Sequence, residues 1–352
     1  MPTTSTGWLA GRSIRLRAFW RRHRTAITIA GSLITAAALV LALAGQRAEF
    51  ETALSAAPIW VVAATVLLQI VALVSRSEAW HRTIEAAGGT VDRRILFRAS
   101  SMQVVGGVLN GHLGVAARIA ALRRSSPDVC PQVPTLIAAE FPILTIEAML
   151  AALTSFTLVA PLGLPWWLPI VAFAVVAALS TGLRHLALRK GRKLWSGLAV
   201  LRSLDGGSRV FGFVLIAVFA QIFRNWMLLH AVGVDASLFD AIAVLIAVVT
   251  LGQLPVGPTV GAAAAVLILG SDGVAAAAAA GVLLTVTGTL GGACFAAWAG
   301  ADRLWSGRGA KRSALRRDAL RRPRARRPSA DPAPQSAPSA PGAQRPAPSA
   351  TQ

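Results

Sequence analysis

The chain has 352 residues, of which 55% are hydrophobic and only 14% charged, with a mean hydropathy of +0.59. Lysine and arginine outnumber aspartate and glutamate 35 to 15, a net charge of +20. That balance excludes a soluble globular domain, because several windows exceed the roughly 18 apolar residues that mark a membrane-spanning helix, and between Gly31 and Gly300 no hydrophilic stretch is long enough for a soluble catalytic domain.

Residues 1–25 carry Arg12, Arg15, Arg17, Arg21, Arg22 and Arg24 with Trp8 and Trp20, and read as a basic cytoplasmic arm. The run 26–45 (AITIAGSLITAAALVLALAG) predicts a first span. It is too long for a secretory signal and lacks a small-residue cleavage site, so it is expected to stay as an anchor. The nearly neutral GQRAEFETALSAA loop is expected outside. A second span over 58–75 returns to a loop with Arg76, Arg82, Arg93 and Arg94; basic segments beside spans mark the cytoplasmic face.

Residues 95–117 (ILFRASSMQVVGGVLNGHLGVAA) are moderately apolar and broken by Gly106, Gly107, Asn110, Gly111 and Gly114. Positive charge on both sides, with Arg118–Arg124 following, predicts a re-entrant hairpin or an interfacial helix pair. Spans are then expected over 134–160 and 166–183, separated by a Pro-Leu-Gly-Leu-Pro turn, and over 210–231 after the basic loop 184–209. Segment 238–270 is too long for one span and is cut by LPVGPTVG. If it crossed fully, the arginine-rich tail would have to be translocated, against the charge rule. It is therefore expected to dip in from outside as a second hairpin, with Pro255, Gly257, Pro258 and Gly261 at its tip. Non-helical backbone at that depth survives only when protein encloses it or when it lines a wet cavity, and broken helices of this kind frame substrates in transporters. The last span is predicted at 274–299, and beyond about 310 the Arg/Pro/Ala/Ser composition predicts disorder, with a basic front half suited to anionic headgroups.

The expected fold class is therefore all-α, a polytopic integral membrane protein with about six transmembrane helices plus two re-entrant hairpins. Its divisions are the arm 1–25, the membrane domain 26–300 and the tail 301–352, with both termini cytoplasmic at the plasma membrane. The polar residues within spans carry the functional expectation. Glu140 and Glu147 lie seven apart with Pro142 between them, on one face of a bent helix. Arg224, beside Gln221 and Asn225, lies inside a span, where a charge costs about 2.5–3.5 kcal/mol and must pair or face water. Glu140 or Glu147 is expected to face Arg224 across a groove near His112, Asn110 and Arg118; the alternative is a purely structural ion pair that fixes helix register.

The remaining candidates read as scaffolding. His23, His81 and His185 sit in basic juxtamembrane regions and are expected at the solvated surface. Trp20, Trp60, Trp80, Trp166, Trp167, Trp298 and Trp305 read as interfacial anchors. The glycines of TVTGTLGGACFAA (285–297) suggest close helix packing, internal or between copies. Cys130 and Cys294 have neither metal-ligand nor redox spacing. No nucleotide loop, Ser-His-Asp set or soluble acidic pair occurs, so no enzyme activity, cofactor or metal is expected. Nucleic acid is not expected either, because the arginines flank lipid-buried helices and are not interleaved with stacking aromatics.

Two stretches resemble a known family. GHLGVAARIAALRR followed by PTLIAAEFPILTIEAML is similar to the lysylphosphatidylglycerol synthase transmembrane family, in which a Gly-x-x-Gly stretch with spaced arginines precedes a helix bearing a buried Glu. LPVGPTVGAAAAVLILGSDGVAAAAAAGVLL resembles that family's later Pro-Gly-rich re-entrant stretch. The resemblance spans roughly 26–300 and implies a flippase-like domain that moves lipids or lipid-linked intermediates between leaflets. It carries over to Arg118, Glu140, Pro255, Gly257 and Gly261, while the family's Arg-Glu pair falls on Ala263 and Ala264. The aminoacyltransferase domain is not expected, and with it lysylation of a lipid. The expected partners are membrane lipids with an anionic or zwitterionic headgroup. The alternatives are an accessory scaffold for an envelope-synthesis enzyme, docked through the basic tail, and a membrane-embedded lipid transferase.

Overall fold

The structure is a computed structural model that describes residues 45–107, 111–126, 130–190, 204–251, 260–269 and 273–321, with the isolated positions 33, 37 and 41. The expected first span, 26–45, lies almost wholly outside the described residues, as do Asn110, Pro255, Gly257 and Pro258. The described helices, in chain order, are α1 (Arg47–Ala56), α2 (Ile59–Ala86), α3 (Arg93–Gly107), α4 (Gly111–Ser125), α5 (Val133–Ala138) and α6 (Phe141–Thr154). After a 3₁₀ turn at Ser155–Leu158 come α7 (Val159–Leu162), α8 (Leu168–Lys190), α9 (Leu204–Ala231), α10 (Leu238–Leu251), α11 (Val260–Leu269) and α12 (Val274–Arg321). Among the described residues there is no strand.

Four segments are long and apolar enough to cross a membrane: Ile59–Ala86, Val133–Leu162, Gly206–Ala231 and Val274–Trp305. Leu168–Gly182 and Leu238–Leu251 are shorter apolar helices. The protein is thus an all-α polytopic membrane protein. Its outward side chains fit that solvent: Leu67, Phe173, Leu179, Phe219, Phe223 and Leu290 are all exposed, a distribution costly in water and neutral in lipid.

Local signals set the helix ends. Pro58, extended at φ −63° and ψ 142°, precedes α2. Gly88 at φ 82° ends it and Gly233 at φ 83° ends α9, both in the left-handed conformation that favours glycine after a helix. Asp92 accepts from the backbone N–H of Arg94 and Ile95 at 2.9 and 3.1 Å, which satisfies orphan donors at the start of α3. Ser237 and Asp240 cap α10 reciprocally, through Ser237 N–H to Asp240 at 2.8 Å and Asp240 N–H to the Ser237 hydroxyl at 3.2 Å.

Two apolar cores divide the interior. The first joins Val61 of α2 with Leu228 and Leu229 of α9, Ala243 and Val244 of α10, Ala265 and Ile268 of α11, and Ala277–Leu284 of α12. The second joins Trp80 and Ile84 of α2, Leu96 of α3, Leu122 of α4, Leu136 of α5, Ile143 of α6, Val210 and Val214 of α9 and Phe295 of α12. Helices α2, α9 and α12 each contribute to both, and a third, small apolar cluster of Ala72, Ala217 and Ala220 lies between them on α2 and α9. Small residues let the helices approach: a methyl on Gly106 would lie 2.9 Å from the Leu113 carbonyl oxygen, and one on Gly261 would lie 2.8 Å from that of Gly281. Lipid offers no hydrophobic drive between helices, so such close approach supplies the packing.

Three expectations need correction. The 134–160 span is not one bent helix: it breaks at Ala139–Glu140 into α5 and α6, because Pro142 lacks the N–H that would bond back and is tolerated only in a first turn. Helix α2 runs on past 75 to Ala86, and Ser77, Glu78, Trp80, His81 and Thr83 are buried there; packing against α3 makes up for the loss of apolar character. Helix α12 continues to Arg321, past residue 310 where disorder is predicted. The residues 310–321 (AKRSALRRDALR) are mostly good helix formers, and the first proline comes only at 323. Residues 1–303 and 304–352 form separate compact units.

A valine at Gly281 would press on the backbone of Gly261 and Ala262. Gly281→Val is expected to lower stability by about 1–3 kcal/mol in thermal unfolding in detergent. Gly182→Ala, with nothing within 4 Å of the added carbon, should leave the midpoint unchanged or raised.

Candidate functional site

The break between α5 and α6 brings Glu140 against α4. There Arg118, 1% exposed, pairs with Glu140, 7% exposed. The Arg118 guanidinium also stacks on the Trp80 ring, 3.7 Å from its centroid, a geometry in which the ring quadrupole attracts the cation. Trp80 is fully buried, so it is not the interfacial anchor the sequence predicts. Its ring is the floor on which the ion pair rests. Glu147, seven residues on in α6, pairs with Arg76 of α2 at 3.1 Å. Together these contacts tie α2, α4 and the broken α5–α6 segment at one level.

Arg224 is elsewhere. Neither Glu140 nor Glu147 faces it, which corrects the expected pairing. It lies on α9 between Ile222 and Leu228 of the first core, where its Nη1 donates to Gln69 at 2.6 Å and to Gln221 at 2.8 Å. Its Nη2 donates to the backbone carbonyl of Leu284, and Nε approaches the Thr287 hydroxyl at 3.4 Å. Gln221 also donates to Gln69 at 2.8 Å. Gly288 makes this possible, since a side-chain carbon there would stand 2.9 Å from Nη2. Asn225, one residue on, reaches the Ala241 carbonyl at 3.5 Å. The mispairing has a geometric cause: Arg224 belongs to the α2–α9–α12 seam, whereas Glu140 faces α4.

A third set closes one end of the hairpin α3–α4. Asp302 of α12 accepts from Arg94 at 2.7 and 2.9 Å through Nε, and from Arg98 at 2.5 Å. Arg98 also donates to the Asp302 backbone carbonyl at 3.0 Å, and Phe97 meets Phe295 edge-on at 6.5 Å. On the other side Arg93 forms an ion pair with Glu78 at 2.8 Å, and Glu78 is 2% exposed. His81, expected at the surface, is 6% exposed, with Nε2 3.1 Å from the Val91 carbonyl oxygen. Cys130 is half-buried, and burial pushes its thiol up against a smaller opposing effect of Arg123, which disfavours the reactive thiolate.

Of the expected site residues, the structure unites Arg118 with Glu140 and holds Glu147 with Arg76 beside them. It sets Arg224 apart, and it places Gly261 in the α11–α12 contact. Asn110, Pro255, Gly257, Pro258 and the side chain of His112 lie outside the described residues. Sequence reasoning missed Trp80, Arg76, Gln69, Gly288 and Asp302. Gln69 carried a signal, as the one amide inside the 58–75 run, and so did Gly288, as one of the glycines of 285–297 read as close-packing positions. Among the described residues no group of three or more His, Cys, Asp or Glu could hold a metal ion.

The fold and these buried charges define a polytopic helical membrane protein built around internal arginines. No family model, curated protein or solved structure matches the chain, so its chemistry is read from its own residues.

Removing one partner of a buried pair strands the other charge and costs about 3–5 kcal/mol. Arg118→Ala and Glu140→Ala are each expected to lower stability by that order, and the double variant by much less than their sum, in a double-mutant cycle of detergent unfolding. Arg76→Ala, whose side chain and that of Glu147 are 36% and 27% exposed, should cost about 1 kcal/mol or less.

Proposed function

We propose that this protein moves a lipid, or a lipid-linked intermediate, between the leaflets of the plasma membrane without catalysing a covalent reaction, with both termini in the cytoplasm. The observation that carries this reading is the Arg118–Glu140 pair, buried where a helix hairpin meets the break of a span. Ionisable groups buried among membrane helices are expensive, and they commonly mark a pathway. Interrupted helices beside them are how transporters frame a substrate near the middle of the bilayer. The headgroup would pass through a polar groove among α2, α4, α6 and α9, while the acyl chains stay in lipid. The motif resemblance to the lysylphosphatidylglycerol synthase transmembrane family supports the same reading, and it rests on Arg118 and Glu140.

One observation favours a second reading, an accessory scaffold for an envelope-synthesis enzyme. The basic stretch from Leu304 on belongs to a second compact unit and is helical to Arg321, and its positive charge suits an acidic partner surface.

The test is leaflet sidedness of fluorescent phospholipid in proteoliposomes, read by quenching from outside. The full chain is expected to expose inner-leaflet probe at least tenfold faster than empty vesicles, and Glu140→Gln to lose most of that rate. A rate equal to that of empty vesicles, together with capture of an envelope-synthesis enzyme that requires residues 304–352, would establish the scaffold instead.

A further inference from the structure

Two arginines are buried among the described residues, and they are held in opposite ways. Arg118 has a carboxylate, Glu140. Arg224, 7% exposed, has none among the described residues. Its partners are two glutamine oxygens, one backbone carbonyl and one hydroxyl. The carboxylates on the same helices stand far along the axis. Glu78 is nine residues beyond Gln69, about 14 Å at 1.5 Å per residue, and Asp302 is fourteen beyond Gly288, about 21 Å. Both are engaged by other arginines. The segment 252–259 (GQLPVGPT) contains no acid.

A structural arginine in this position would be expected to have a fixed counter-ion, since an unmatched cation in a dry interior is unstable. Amide oxygens soften the cost and leave the charge in place. They are also easily displaced, because the terminal torsion of glutamine is broad and roughly two-fold and both Gln69 and Gln221 are only half-buried. Gln69 lies ten residues into α2, about 15 Å from its start, which is half the thickness of a hydrocarbon core. This depth is where the passage of a charged headgroup is most costly.

We propose that Arg224, with Gln69 and Gln221, is an anion-binding centre at mid-membrane depth, and that its ligand is the phosphodiester of a phospholipid headgroup carrying net negative charge. The two glutamines hold the guanidinium in the resting state. A phosphate oxygen takes their place on Nη1 and forms the charge-assisted bond that neither amide supplies. Zwitterionic headgroups bring their own cation and gain less. This assignment rests on the translocation reading for its purpose, but its chemistry can be read without transport.

The closing experiment uses the full chain in detergent, with short-chain phosphatidylglycerol, short-chain phosphatidylcholine or inorganic phosphate as probes. Phosphatidylglycerol is expected to raise the unfolding midpoint several degrees more than equimolar phosphatidylcholine. Gln69→Glu supplies the missing carboxylate beside Arg224; it should fold at least as well as the native chain and lose phosphatidylglycerol affinity at least tenfold. Gly182→Ala, where the added carbon meets nothing within 4 Å, should keep that affinity within about threefold. If Gln69→Glu bound phosphatidylglycerol as the native chain does, Arg224 would be purely structural and the proposal overturned. A response to inorganic phosphate but not to the lipid would overturn the headgroup assignment. In proteoliposomes, equal movement of both lipids by the native chain would also overturn it while leaving translocation standing. Lipid-selective binding without any movement would uphold the centre and remove the translocation reading.

Discussion

A buried charge in a membrane has no water to fall back on, and the internal architecture here follows from that constraint. Each of the two buried arginines fixes the elements around it. Arg118 is clasped between Trp80 and Glu140, which requires α4 to lie against α2 and the α5–α6 helix to open at Ala139–Glu140. Arg224 reaches into α12, which requires a glycine at 288 and a free carbonyl lone pair at Leu284. The apolar cores are built from residues that would be equally content in lipid. What holds them in register is therefore close packing and the matching of these polar groups.

The two arginines also divide the work of charge between them. Where a carboxylate is supplied, as at Arg118, Arg76, Arg93 and the Arg94–Arg98 pair, the result is an ionic tie between helices. Where only amides and a carbonyl are supplied, positive charge persists inside the protein. Asp302 is notable for position: it grips the start of the α3–α4 hairpin at the point where the chain leaves the first compact unit.

Hydropathy and glycine placement made the helical membrane character and the two interrupted segments, 95–117 and 238–270, legible before any coordinates. In the structure the first becomes the packed pair α3–α4, and the second appears as α10 and α11 on either side of 252–259. Less legible was the extension of α2 through Arg76, Glu78, His81, Arg82 and Glu85. In isolation these residues resemble a solvated loop, but packing against α3 and the arginines at 82 and 93 bury Glu78 and His81, while Arg76 and Arg82 are half-buried and Glu85 stays exposed. Trp80 was misread for a related reason. A tryptophan near a span end is usually an anchor, and nothing local indicates that an arginine 38 residues later will lie on its ring.

By itself the sequence determined the solvent of this protein, its helical class and the identity of the costly side chains, because each follows from composition and backbone chemistry within a few turns. Only the tertiary structure decided the partnerships: Glu140 with Arg118, Glu147 with Arg76, Asp302 with Arg94 and Arg98, and Arg224 with two glutamines. Such choices depend on azimuth, the direction in which each helix turns a given side chain. A rotation of 100° per residue leaves that direction open until neighbouring helices are in place.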